Sequence, residues 1–406
     1  MRDSIGLAAY RTLSARRTVP ELAPFDPRPE GEMVWIHAAE EGNNKAIADL
    51  ARRLVTVRHG THVIVTAAHG TFDEDSLEGV HIVDAPDDHP ETAMAFVDHW
   101  RPDVMLWAWG GLQPNLILEA EKRGTYLLLV DADSDGFDGR RERWLPEVTR
   151  RLLNAFDRVI ARSDETRDKF VNMGHPADAI EVAAPLRPSS RMLPANDSDI
   201  ADLTEAFAGR PSWLAASAVR AEARILLGAQ KLVVGTSPRL LLILLARSPA
   251  DAAHAMNLAQ TAGMRAVYWG DGTLPDDTCQ VLVADAADEL GLWMRMAPVT
   301  FMGGSLQAGR DVFDPYIAAS HGTALIYGPN VGAHDDAFRH LFKARAARLV
   351  KDKTTLVDAV SQMVAPDRAA QMAMAGWDLM TQAALSLDRV ADLTQSHLDA
   401  IEGGGS

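Results

Sequence analysis

The stretch FMGGSLQAGRDVFDP, residues 301–315, holds residue types suited to chemistry on a phosphate-bearing ligand. Gly303, Gly304 and Ser305 follow an apolar run and open a loop that contains Gly309, so backbone N–H groups there can approach an anion with no side chain in the way. Asp311 and Asp314 precede a helix-like run, where a carboxylate accepts hydrogen bonds from sugar hydroxyls or caps the helix. The same glycines also fit a strand-to-helix turn that needs them only for packing. A second stretch, DADSDGFDGRRE (131–142), has the spacing of a calcium loop, with Asp131, Asp133 and Asp135 before Gly136 and Glu142 at the final ligand position. Against calcium, TYLLLV before it reads as a strand and Asp138 stands where an apolar residue pins such a loop, so an acidic loop lining an interdomain cleft competes with the metal. In HDDAFRH (334–340), His334 and His340 do not share a helical face, and a solvated helix start is expected rather than a metal site. Neither HExxH nor GxSxG occurs.

These loops need elements to hold them. From Met33 to about Ala184, strand-like runs at 33–38, 62–67, 80–85, 104–109, 125–130 and 158–163 alternate with helix-like runs at 44–58, 91–100, 114–123 and 164–173. Near-continuous apolar strands separated by helices predict a parallel sheet covered on both faces. LRPSSRMLPANDSD (186–199) breaks the rhythm and reads as a linker. The pattern then restarts, with strands at 212–217, 239–246, 265–270, 280–285, 299–304 and 324–329 and a long helical tail over 366–401. The expected organisation is an N-terminal amphipathic segment (1–32), two doubly wound Rossmann-like domains (33–190 and 191–380) facing a cleft, and a C-terminal helix (381–402) short of the linker-like GGGS. Trp107, Trp109, Trp144, Trp269 and Trp293 read as core or cleft-wall residues, with Trp109 placed at a strand end where it can stack on a sugar.

Composition narrows the partners. Forty Lys and Arg against 56 Asp and Glu give a formal charge of −16, which repels a phosphate backbone and argues against nucleic acid. The single cysteine, Cys279, forms no internal disulfide, which fits a reducing compartment and a cytoplasmic location. No apolar run reaches the roughly 20 residues that span a bilayer. Residues 1–17 carry Arg2, Arg11, Arg16 and Arg17 with Ile5, Ala9 and Leu13 on one helical face, the pattern of a short helix that covers its own domain or touches an anionic membrane surface.

The run VADAADELGLWMRMAPVTFMGGSL, then GRDVFDP and ALIYGPN, resembles the C-terminal domain of the 3-deoxy-D-manno-octulosonic acid (Kdo) transferases, a family with a GT-B fold and a CMP-activated sugar donor. Asp285, Glu289, Gly303, Gly304, Ser305, Gly309 and Pro315 match its pattern there. RPSWLAAS (210–217), RLLLILLARSP (239–249), WIHAAEEG (35–42) and LQPNLILEAEKRG (112–124) resemble further family motifs in the same order. The resemblance implies that Arg247 takes the place of the arginine meeting the CMP phosphate, and that Ser217, Arg247, Gly303, Gly304, Ser305, Asp311 and Asp314 form the donor site. It further implies inverting displacement of CMP with no metal required, onto a lipid or saccharide acceptor of the cell envelope, by a protein peripheral at the inner membrane.

The departures bear on catalysis. The position of the family's general base, the glutamate of HA-x-SVGE, is Asn43 here, and an amide cannot take the acceptor's proton. Glu40 and Glu41 replace the family's Ser and Val, which makes them candidates for a relocated base, with helix capping or solvation as the competing role. Trp109, Gly110 and Gly111 replace an acidic ETE, and Ala218 to Ala223 replace THEGEE. Asp133 stands at an arginine position, a reversal of sign that disfavours an anionic acceptor. The competing expectation is a catalytically impaired relative that binds nucleotide sugar as a regulator or assembly partner. A GT-B epimerase or a transferase using a UDP sugar is a third.

Overall fold

The computed structural model describes residues 5–19, 24–38, 44–67, 79–134, 146–188 and 192–404. It divides into two compact units, Met1–Ser189 with Gln382–Ser406, and Ser190–Thr381.

The first unit is built on seven parallel strands: β1 (Glu32–Ala38), β2 (Thr61–Ala67), β3 (Val80–Asp84), β4 (Val104–Ala108), β5 (Tyr126–Ala132), β6 (Arg158–Ala161) and β7 (Ile180–Val182). Their order is β3-β2-β1-β4-β5-β6-β7. Such all-parallel strands are covered by helices on both faces, and Leu127 to Val130 accordingly have no exposed surface. The second unit repeats the design with β8 (Ser212–Ala218), β9 (Leu241–Ala246), β10 (Ala266–Tyr268), β11 (Val281–Ala284), β12 (Val299–Met302), β13 (Ala324–Tyr327) and β14 (Ala347–Leu349), in the order β10-β11-β9-β8-β12-β13-β14. Both units are thus Rossmann-like and doubly wound, the α/β class expected of a GT-B chain. In the first sheet the direction of winding reverses between β1 and β4; in the second, where β11 lies between β9 and β10, the two halves part between β8 and β12, and the carboxyl ends of those strands are where doubly wound sheets bind ligands.

Several boundaries differ from expectation. β7 and β14 have three residues each, too short for the periodicity to reveal. The expected strand at 265–270 stops at Tyr268 and turns into a short 3-10 segment. Part of the stretch read as a linker is helix: the side chain of Asn196 accepts from Ser198 N and starts the helix Asp197–Phe207. The C-terminal helix is one element, Pro366–Gly404, rather than a tail with a separate end, and its residues from Gln382 onward belong to the first unit.

The N-terminal helix Ile5–Ser14 lies on the first unit, but not by the face expected. Leu7 is buried in that unit's core, while Ala9 is exposed and Leu13 is 63% exposed. The buried face is chosen by polar partners: Tyr10 Oη donates to Asp88 (2.7 Å), Arg11 pairs with Glu119 (3.3 Å), and Asn115 Nδ2 donates to Ser14 Oγ (3.2 Å). Among the described residues, no helix is long and apolar enough to cross a membrane.

Candidate functional site

At the switch point of the second sheet, the register between β8 and β9 shifts between Ala215 and Ala218. Ser217 sits in that break with φ of 54°, a left-handed conformation that costs a non-glycine residue of order 1–3 kcal/mol and re-aims its side chain. One strand over, the Arg247 amide donates to the Ala218 carbonyl (2.9 Å) and its guanidinium Nε donates to Ser217 Oγ (3.1 Å). Arg247 Nη2 donates to the main-chain carbonyl of Asp311 (2.6 Å). Both acceptors are neutral, and the side chain is half-buried, so the guanidinium is held in place while its charge stays uncompensated by them. Ser217, Arg247, Gly304 and Asp311 therefore come together.

The glycine loop lies beside this arginine. Gly303 continues β12 so close to β8 that a Cβ would lie 2.4 Å from the Ala216 carbonyl oxygen, and Gly304, at φ 89°, would place one 3.0 Å from Arg247 Nη2. The loop's amides do not face open space. Gly304 N and Leu306 N donate to the two oxygens of Glu222 at 2.7 and 2.8 Å. Glu222 has no exposed surface, and burial raises its pKa above the ordinary glutamate value despite these bonds. Ser305 is likewise buried: its hydroxyl donates to the Met302 carbonyl and accepts from Gly328 N (2.7 Å), which ties the loop to the end of β13. Asp314 caps the helix Pro315–Ser320 through Tyr316 N (3.0 Å), and the Asp311 side chain is exposed. Sequence reasoning passed over Glu222. Its signal was that it alone keeps an acidic group of the family's THEGEE in a stretch otherwise stripped of carboxylates.

Asp285 and Glu289 stand past the end of β11. Tyr268 Oη bonds to Asp285 (2.9 Å), and Trp269 Nε1 donates to Glu289 (3.1 Å), whose pKa is raised by burial. Trp269 and Trp293 meet edge to face at 5.3 Å. At the opposite, amino-terminal end of this sheet a cavity of about 530 Å³ is lined by Arg210, Trp213, Leu240, Val299, Val360 and Met363. It lies away from the switch point, and its arginine is given to the carbonyls of Arg239, Asp276 and Cys279.

In the first unit, Glu40, Glu41 and Asn43 lie outside the described residues, as do Asp135, Glu142 and Trp144. β1 leads directly to the candidate bases and ends at the switch point. His37, near its end, is buried with its ring 4.0 Å from Trp107, and Nδ1 is 2.8 Å from the Thr66 hydroxyl, which also accepts from Trp35 Nε1. Burial pushes its pKa down to about 3, so the imidazole is neutral at physiological pH. Trp109 is a core residue, 6% exposed and 6.2 Å from Phe170, rather than an open sugar platform.

The calcium reading finds no support among the described residues, where Asp131 is engaged otherwise. That residue belongs to β5, at a register break between Leu129 and Ala132, with φ of 58°. Its two oxygens accept from Arg162 Nε (2.8 Å) and Nη2 (2.6 Å), and Leu186 N donates to it as well (3.0 Å). Arg162 Nη1 reaches Asp133 at 3.1 Å. A guanidinium already takes the place a cation would need, and it also offsets the reversed charge at Asp133. Arg162 is one strand over from Asp131, and its amide donates to the Ala132 carbonyl (2.8 Å), so this corner is built as the Ser217–Arg247 corner is. In HDDAFRH, Arg339 pairs with Asp335 and Asp336 on an exposed helix surface. Among the described residues, no group of three or more His, Cys, Asp or Glu comes together as a metal site.

The profile described as 3-Deoxy-D-manno-octulosonic-acid transferase (kdotransferase) matches residues 11–189. The chain is 27% identical to the 3-deoxy-D-manno-octulosonic acid transferase of Bordetella pertussis over 93% of its own length and 88% of the relative's. It is 22% identical to that of Haemophilus influenzae over 97% and 95%. Among solved structures, it is similar to the C-terminal CMP-Kdo binding domain of WaaA from Acinetobacter baumannii, with 19% identity, a TM-score of 0.43, and coverage of 45% of this chain and 96% of that one. With one transferase profile on the first unit, transferase relatives along nearly the whole chain, and the expected motifs in order around Ser217, Arg247 and Gly303, the chain is similar to the Kdo transferases over nearly its full length, at the distance of a divergent relative.

Proposed function

We propose that this glycosyltransferase of the Kdo transferase type transfers a sugar from a CMP-activated donor to a lipid or saccharide acceptor of the cell envelope, with inversion at the anomeric carbon. The observation that carries the reading is Arg247, a half-buried guanidinium at the second switch point, oriented by two neutral acceptors. A phosphate there receives charge-assisted hydrogen bonds as it departs. The acceptor's proton goes to Glu40 or Glu41, since Asn43 cannot take it. Peripheral contact with the cytoplasmic face of the inner membrane, through residues 1–17, is supported by the outward side of the first helix, where Leu13 is 63% exposed.

A second reading, a relative that binds nucleotide sugar without transferring it, is favoured by Asn43 and by the loss of the acidic ETE. Thermal unfolding with and without CMP or CMP-Kdo tests what both readings share. A ligand at 100 times its dissociation constant adds about 2.7 kcal/mol, and an unmoved melting temperature at millimolar CMP overturns both. Radiolabelled transfer from CMP-Kdo to lipid A precursors then separates them.

A further inference from the structure

A glycine loop at the end of a strand ordinarily offers its N–H groups to a ligand's phosphate. In this chain those of residues 303–307 are spent. Gly303 N, Ser305 N and Gln307 N donate to the carbonyls of Ala216, Met302 and Gly304, while Gly304 N and Leu306 N donate to Glu222. We infer that the loop is an anion seat filled by the chain's own carboxylate, Glu222, and that this residue selects a donor with one phosphate over a nucleoside diphosphate donor.

The geometry gives Glu222 two effects. It fixes Gly304, whose α-carbon faces both the Asp311 carbonyl and Arg247 Nη2: a Cβ there would lie 2.8 and 3.0 Å from them. Since the Asp311 carbonyl in turn accepts from Arg247, Glu222 is a positioning residue for the guanidinium. It also brings a fixed carboxylate to the place where the backbone would hold a second phosphate, so a diphosphate meets a filled seat and a like charge. A single phosphate needs only Arg247. The inference rests on the proposed reading of Arg247 as the phosphate contact.

Calorimetry of CMP and CDP, which share base and ribose, tests it on the whole chain as wild type, Glu222→Ala and Glu222→Gln. The wild type is expected to bind CMP at least about tenfold more tightly than CDP, and both variants to narrow that ratio by about tenfold or more. In Glu222→Ala, formate at tens of millimolar is expected to refill the seat, restoring the ratio and raising the melting temperature, with no rise in the wild type and none from sodium chloride at equal ionic strength. A CMP to CDP ratio unchanged in both variants, or formate acting alike on variant and wild type, overturns the inference. Glu222→Gln keeps the side-chain shape, so its ratio decides the matter if Glu222→Ala does not fold. If the wild type binds neither nucleotide, the proposed function falls, while formate rescue of the melting temperature, read without nucleotide, still tells a filled seat from an ordinary buried residue.

Discussion

Arg247 joins a backbone feature to a chemical one, because the left-handed Ser217 beside it accepts from the guanidinium Nε. Hydrogen bonds to a charged group are worth about 1.5–3 kcal/mol, so Arg247→Ala should weaken CMP about tenfold to a hundredfold by calorimetry. The catalytic base is tested by a different set of variants. If a relocated carboxylate serves, Glu40→Gln or Glu41→Gln abolishes transfer and Asn43→Glu changes little. If no base remains, Asn43→Glu raises transfer by roughly a hundredfold to ten-thousandfold. Arg247 and Ser217 were legible through the order of motifs around them. Glu222 was not, because a buried carboxylate bound to backbone amides looks in sequence like any acidic residue in a helix's first turn. The partner of Asp131 was hidden for a related reason: its calcium-like spacing is visible in the chain, whereas Arg162, 31 residues later, is brought to it only by the pairing of β5 with β6.

The N-terminal helix shows how far an element's own pattern reaches. Its apolar stripe suggests one buried face, yet docking follows Leu7, Tyr10, Arg11 and Ser14, since the surface below presents Asp88, Asn115 and Glu119. Long apolar runs such as β5 and β9 were readable because two-sided burial leaves an unbroken signature; three-residue edge strands leave none. Asp88, where the helix docks, makes a pH prediction. Burial raises its pKa to about 6 against the bonds from Tyr10, Leu116 and Asn115, which lower it. A raised folded-state value means that its stabilising contribution is present below about pH 4 and is lost as pH rises through about 6. From pH 4 to 7, the stability gap between wild type and Asp88→Asn should shift in the variant's favour by about 2–3 kcal/mol, measured by denaturant unfolding at each pH.

At the scale of the whole chain, two α/β halves were plain from the restarted rhythm, but the allegiance of the tail was not, because helical periodicity does not say which core it serves. Residues beyond Gln382 complete the first unit: Leu387 and Val390 have no exposed surface, Leu398 has 2%, Arg389 pairs with Glu181 (2.6 Å), and His397 stacks on Tyr126 at 4.0 Å. Burying a large aliphatic side chain is worth about 1.5–3 kcal/mol, so a chain ending at Thr381 should lose or sharply lower one calorimetric transition while the other stays within a few degrees. The paired corners have a different consequence. Each sheet holds an arginine against a left-handed residue one strand away, but Asp131 and Asp133 bond Arg162 directly, whereas the direct partners of Arg247 are a hydroxyl and a main-chain carbonyl, and the Glu222 carboxylate acts on it only through space. The architecture is duplicated and its polarity is not, so a phosphate ligand should saturate at one equivalent per chain, and Ser217→Asp, which copies the first corner into the second, should take that equivalent to zero.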